Sequence, residues 1–131
     1  MTTHEPSEDL REILRETHGF GHREHVHLAW RLLRKHEDLS QAENSMCAVI
    51  REVAELHGTP EKYHETLTVA WTRLVAVHVR DHDEADFGSF IERNEGLLDR
   101  SLLSRHFSRE VMQSDQARRT FVEPDLIPLP C

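Results

Sequence analysis

The chain has 131 residues, a length that suits one domain with a single hydrophobic core. Its formal net charge is −8 at pH 7, an unfavourable balance for a protein that neutralises the phosphates of nucleic acid or an anionic membrane surface. The apolar stretches are far shorter than the roughly 20 residues of a membrane span, and the acidic N-terminus lacks the pattern of a secretory signal. We therefore expect a cytoplasmic protein that binds neither nucleic acid nor membrane.

Apolar residues recur every three or four positions along almost the whole chain, and no stretch alternates for long enough to form a strand. The pattern predicts an all-α fold: a compact bundle of five to six helices in a single domain over residues 1–131. The predicted helices cover residues 8–17, 22–36, 40–58, 60–80, 87–96 and 108–121. Residues 1–6 are expected to be disordered. The tail over residues 122–131 is expected to be extended because it contains three prolines.

Particular residues mark the ends of the third and fourth helices. Ser40, with Glu43 three residues later, predicts a capping box at the start of the third helix, and Gly58 predicts its end. Thr59 and Pro60 predict the N-cap and the first residue of the fourth helix.

Eleven histidines are the unusual feature of the composition. At about 100° per residue, His22 and His25 fall on the apolar face of the second helix, one turn apart. His64 falls on the apolar face of the fourth helix, beside Trp71. Three neutral imidazoles from two helices are suitable ligands for zinc, iron, copper or nickel, so we expect them to bind one transition-metal ion. The alternative for each is a core histidine that only forms hydrogen bonds.

Two residues next to His64 are candidates for chemistry. Glu65 projects away from His64 on the helical wheel, so we expect it to orient an imidazole or move a proton rather than bind the metal. Tyr63 is a candidate proton donor or substrate contact, although an aromatic residue at helical spacing is also typical of a core. His78 and His106 are left open as further ligands. Five histidines are expected to be solvated, at positions 4, 18, 27, 36 and 82.

Two blocks of sequence carry a resemblance to known proteins. Residues 20–30 follow the pattern FxHxxHxxxAW, and residues 62–71 follow the pattern KYHETxTxAW. In these blocks the chain resembles a family of small bacterial helical proteins rich in histidine. The resemblance implies a shared site built from His22, His25, His64 and Glu65. In that family the position of His106 usually holds an aromatic residue, which argues against an essential ligand there.

The leading interpretation is a mononuclear metalloenzyme that acts on a small organic molecule. One alternative is a non-catalytic protein that binds a metal or a ligand for storage or sensing. Another is a metal-free enzyme in which His64 and Glu65 perform acid–base chemistry in a pocket between Trp30 and Trp71. The sequence leaves open the metal, the reaction and whether the protein forms a homodimer.

Overall fold

The structure, a computed structural model, describes residues 8–16, 20–81 and 84–130, without the side chains of residues 9 and 14–16. The expectations for residues 1–6 and for the histidines at 4, 18 and 82 lie outside these ranges. The described ranges contain helices and connecting turns but no strand, so the prediction of an all-α fold is confirmed. None of the helices in these ranges combines the length and the apolar character that crossing a membrane requires.

Seven α-helices lie in the part of the chain that the structure describes. They are α1 (Glu8–Glu16), α2 (His22–Lys35), α3 (Leu39–Leu56), α4 (Glu65–Asp81), α5 (Phe87–Arg93), α6 (Arg109–Met112) and α7 (Asp115–Arg119). Three short 3₁₀ helices join them, at Pro60–Lys62, Glu95–Leu98 and Arg100–Arg105. The three long helices α2, α3 and α4 pack against one another, and the shorter elements cover their remaining faces.

The core lies between these three long helices. Each contributes side chains that are fully shielded from solvent, for example Val26 from α2, Met46 from α3 and Val75 from α4. The 3₁₀ helix at 95–98 adds Leu97, and α5 adds Phe90. Burying side chains of this size stabilises the fold by roughly 1.5–3 kcal/mol each, before the entropy of ordering the chain is counted.

The fourth helix begins at Glu65, not at Pro60 as predicted. Pro60 does open a helical turn, but this turn is a 3₁₀ helix that ends at Lys62. Tyr63 then adopts an extended conformation, and the chain enters α4 only after His64. His64 therefore lies immediately before the first residue of α4, and not within the helix as predicted.

Two other helix boundaries also differ from the prediction. The N-cap of α3 is Asp38, whose carboxylate accepts a hydrogen bond from the backbone N–H of Ser40 at 3.1 Å. Asp38 thus takes the capping role predicted for Ser40. The last predicted helix is split in two because Ser114 accepts a hydrogen bond from the backbone N–H of Ala117 at 3.1 Å and starts α7 as a new helix.

The tail over residues 121–130 contains no helix, as its prolines predicted. Its backbone is held by His106, which accepts a hydrogen bond from the N–H of Leu126 at 3.0 Å and donates one from Nδ1 to the carbonyl of Ile127 at 2.8 Å. The carboxylate of Asp125 accepts from the backbone N–H of Ser108 at 2.8 Å. Hydrogen bonds from Ser108 hold the pKa of Asp125 below its usual value.

Candidate functional site

A pocket of about 380 Å³ lies where the N-terminal ends of α2 and α4 meet α3. We term it the histidine pocket. It is lined by Phe20, Gly21, His22, His25, Ile50, Val53, Ala54, Thr59, Lys62, Tyr63, His64, Leu67, Thr68, Trp71 and Arg100. The structure therefore brings together at one pocket all three histidines that the sequence singled out.

His25 is the residue in this pocket whose polar side chain lacks a partner. Its Nε2 atom is buried and forms no hydrogen bond with the described part of the chain. Burial, and secondarily the nearby His22, lower the pKa of His25 from 6.5 to about 4. The ring is therefore neutral at pH 7. Because an unsatisfied buried polar atom is unfavourable by about 1–3 kcal/mol, a ligand that reaches Nε2 would recover that free energy.

His22 links the start of α2 to the 3₁₀ helix at 95–98. Its Nε2–H donates to the backbone carbonyl of Leu97 at 2.8 Å. Its ring also meets Trp71 edge-on, with 4.5 Å between the ring centroids and 63° between the planes. Because a carbonyl oxygen can only accept, Nε2 carries a proton in this contact.

His64 uses both of its ring nitrogens. Nδ1 accepts a hydrogen bond from the backbone N–H of Leu67 at 3.0 Å, so the imidazole caps the start of α4. Nε2–H donates to the backbone carbonyl of Met112, at the end of α6, at 2.8 Å. The side chain therefore fixes the entry into α4 and ties it to the C-terminal part of the chain.

These hydrogen bonds bear on the predicted metal site. The described ranges contain no group of three or more His, Cys, Asp or Glu residues arranged to hold a metal ion. To bind one, His64 would have to release either Leu67 or Met112. Binding by the three histidines together stays a prediction.

Tyr63, which lines the pocket, forms a hydrogen-bond network with Glu65. The Tyr63 hydroxyl donates to Glu65 Oε1 at 2.5 Å, and Arg51 binds the same oxygen at 3.2 Å while its guanidinium lies 4.8 Å from the centre of the tyrosine ring. Burial raises the pKa of Tyr63, and hydrogen bonds to Cys47 and Glu65 raise it further. Tyr63 therefore stays protonated at ordinary pH. Glu65 is not among the residues that line the pocket.

The sequence reasoning missed Arg51 and Cys47 as members of this network. Their spacing of four residues on α3 was the available signal, because it places them on one helix face. It also missed the cations Lys62 and Arg100 at the pocket. Lys62 belongs to a block that the sequence singled out, whereas no local pattern connects Arg100 with it.

The remaining aromatic and histidine predictions fall outside the pocket. His78 Nδ1–H donates to the Oδ1 of Asn94 at 2.7 Å, which joins α4 to the end of α5. His27 is not solvated as predicted, because it stacks on Phe87 with the ring centroids 4.2 Å apart. Trp30 packs with the phenylalanines of α5 and does not line the pocket.

A larger groove of about 680 Å³ runs between the ends of α2 and α4 and the C-terminal tail. Two of its polar side chains have partners. Arg73 pairs with Glu43 at 2.8 Å, and the ring of His36 bonds to the hydroxyl of Ser45 at 3.2 Å. The buried nitrogen without a partner, His25 Nε2, belongs instead to the smaller histidine pocket.

Comparison with protein-family models, with curated proteins and with solved structures found no match. The resemblance to the bacterial family stays a prediction, and any functional assignment depends on the geometry of the histidine pocket.

Proposed function

We propose that this protein binds a small organic molecule in the histidine pocket, with the ring of His25 as the buried polar contact. The observation that carries the proposal is the unpartnered Nε2 of His25 in a pocket whose walls combine apolar side chains, such as Ile50 and Trp71, with polar ones. Concave sites with apolar walls and a few polar groups are typical of small-molecule binding. A ligand atom that donates to Nε2 or accepts from it, according to the tautomer, would satisfy the ring.

Binding is better supported than acid–base catalysis. A general base is most effective when its pKa lies near the working pH, and a pKa of about 4 makes His25 a weak proton acceptor at pH 7. Tyr63 stays protonated and donates a hydrogen bond to Glu65, and Glu65 also accepts a hydrogen bond from Arg51. Tyr63 and Glu65, two of the residues expected to move protons, are thus bound to each other in one network.

The test uses matched pairs of small probes that share a shape and differ in charge, such as benzoate with benzamide and cyclohexanecarboxylate with its amide. Titration followed by NMR should shift the resonances of His25 and Trp71, which both line the pocket. The variant His25→Phe keeps an aromatic ring and removes its polar atoms, so affinity should fall about tenfold for a probe that bonds to the ring.

The matched control is His57→Phe, the same substitution at an exposed position at the end of α3. It should leave probe affinity unchanged. Removing an unsatisfied buried nitrogen favours folding of His25→Phe, whereas its larger ring opposes it, so a urea denaturation curve that shows a folded variant is needed to separate lost binding from unfolding. If no probe binds at millimolar concentration, or if His25→Phe binds as well as wild type, the proposal is wrong.

A second candidate function, metal binding, rests on the observation that His22, His25 and His64 line one pocket. Neutral imidazoles such as His25 are competent ligands. A metal held by all three would replace the hydrogen bond from His64 to Met112 or the cap on Leu67.

Elemental analysis of protein prepared without a histidine tag decides between the two candidates. Metal binding predicts about one ion per chain, lost in His22→Ala, His25→Ala and His64→Ala but retained in His57→Ala. Protein that takes up no stoichiometric metal from buffered zinc, yet binds the organic probes, would leave only the first candidate.

A further inference from the structure

The charge around the histidine pocket has the opposite sign to that of the whole chain. The protein carries 24 acidic and 16 basic residues. In the part of the chain that the structure describes, the pocket lining includes Lys62 and Arg100 but neither an aspartate nor a glutamate. Among Lys, Arg, Asp and Glu, the described residues that line the pocket are therefore both cations, on an acidic protein.

Lys62 and Arg100 reach the pocket from distant parts of the sequence. Lys62 ends the 3₁₀ helix at 60–62, and Arg100 begins the one at 100–105. Both are exposed, and neither forms an ion pair within the described ranges. By contrast, Arg51 and Arg73 are each paired with a glutamate. Two unpaired cations at one pocket would attract a negatively charged ligand.

Three carboxylates near in sequence to the pocket residues have partners of their own. Glu24 accepts from the backbone N–H of Gly21 at 2.7 Å. Glu65 is held by Tyr63 and Arg51. Asp99 accepts two hydrogen bonds from Ser101, at 3.0 Å from the backbone and 2.7 Å from the hydroxyl. None of these three carboxylates forms an ion pair with Lys62 or Arg100.

Two helices add to the positive potential. α2 and α4, of 14 and 17 residues, begin at this pocket, where His22 and His64 line it. The N-terminal end of a helix carries a partial positive charge that favours anions. The buried nitrogen of His25 supplies an independent indication that a ligand occupies the same space.

We infer that the ligand of the histidine pocket is a small organic anion with an apolar body. Its anionic group binds between Lys62 and Arg100, and its body packs on Trp71, Leu67 and Ile50. The inference rests on the proposed function, because it names the class of molecule that the same pocket binds. A carboxylate and a phosphate ester share the required chemistry.

The experiment compares benzoate, phenyl phosphate and neutral benzamide on the wild type, on the double variant Lys62→Gln/Arg100→Gln and on Arg119→Gln. Arg119 is an exposed arginine on α7 that does not line the pocket, so its variant controls for the loss of one of the two positive charges that the double variant removes. Wild type should bind at least one anion about tenfold more tightly than benzamide, and this preference should disappear in the double variant but persist in Arg119→Gln. High salt should weaken binding of the anions and leave benzamide unchanged.

The outcomes separate this inference from the proposed function. If benzamide binds as tightly as both anions and depends on His25, the proposed function stands and the anion inference is overturned. If Arg119→Gln removes the preference as fully as the double variant, the effect is one of net charge and the inference is also overturned. If none of the three probes binds, the proposed function itself fails. Tighter binding of benzoate than of phenyl phosphate would identify the ligand as a carboxylate, and the reverse would identify a phosphate ester.

Discussion

A single nitrogen atom, Nε2 of His25, distinguishes the histidine pocket from the rest of the core. His22, His64, His78 and His106 each form a side-chain hydrogen bond with a backbone carbonyl or with Asn94. The ring of His25 is neutral mainly because it is buried, and its Nε2 atom has no hydrogen-bond partner in the described part of the chain. The helical wheel placed His25 correctly on the inner face, but no pattern of residues could show that the nitrogen would lack a partner.

The lowered pKa of His25 makes stability depend on pH in a defined window. Between about pH 6.5 and pH 4 the unfolded chain binds a proton that the folded chain excludes, so the free energy of unfolding falls as the pH is lowered through that range. Above pH 6.5 the ionisation of His25 does not change the free energy of unfolding. By linkage, the loss at pH 5 should be on the order of 2 kcal/mol.

Urea denaturation of the wild type and of His25→Phe at a series of pH values isolates this contribution. The wild type should lose more stability on acidification than the variant, by the amount above, whereas His57→Phe should follow the wild type. Parallel curves for the wild type and His25→Phe would mean that the ring is accessible to protons in the folded state.

At the scale of the elements, the start of α4 shows where prediction from the sequence failed. Thr59 and Pro60 are a sound local signal, and they do open a helical turn. The chain leaves that turn because the imidazole of His64, the residue before α4, accepts a hydrogen bond from the backbone N–H of Leu67 and caps the helix. The second ring nitrogen of His64 donates to the backbone carbonyl of Met112. A helical wheel that starts at Pro60 cannot describe a residue whose position is set by a contact with α6.

The capping role of His64 can be measured directly. His64→Ala should lower the free energy of unfolding by about 2 kcal/mol, because it removes both the cap on Leu67 and the bond to the carbonyl of Met112. His64→Asn should recover about half of that loss, since asparagine is a good N-cap but cannot also reach Met112. Denaturation curves provide the measurement. Equal losses in the two variants would show that the cap contributes nothing.

At the scale of the whole molecule, the class of fold was predictable and the composition of the pocket was only partly so. The spacing of apolar residues in α2, α3 and α4 identified the helices that form the core, since a buried stripe is a local property of each helix. The pocket combines such helix faces with Lys62 and Arg100, which lie on short 3₁₀ turns. Turns of this kind have no periodic pattern, so the histidines could be placed from the sequence but the two cations at the same pocket could not.

The two hydrogen bonds that fix the ends of α2 and α4 also determine when the pocket can form during folding. The bond from His22 to Leu97 spans 75 residues, and the bond from His64 to Met112 spans 48. Closing loops of this length is slow compared with forming the helices themselves, so the long helices can pair before the pocket takes shape. On a ribosome the nascent chain would have all three histidines and still lack the pocket until the segment carrying Met112 emerged. During folding, the ability to bind a ligand in the histidine pocket would therefore appear after most of the helical structure has formed.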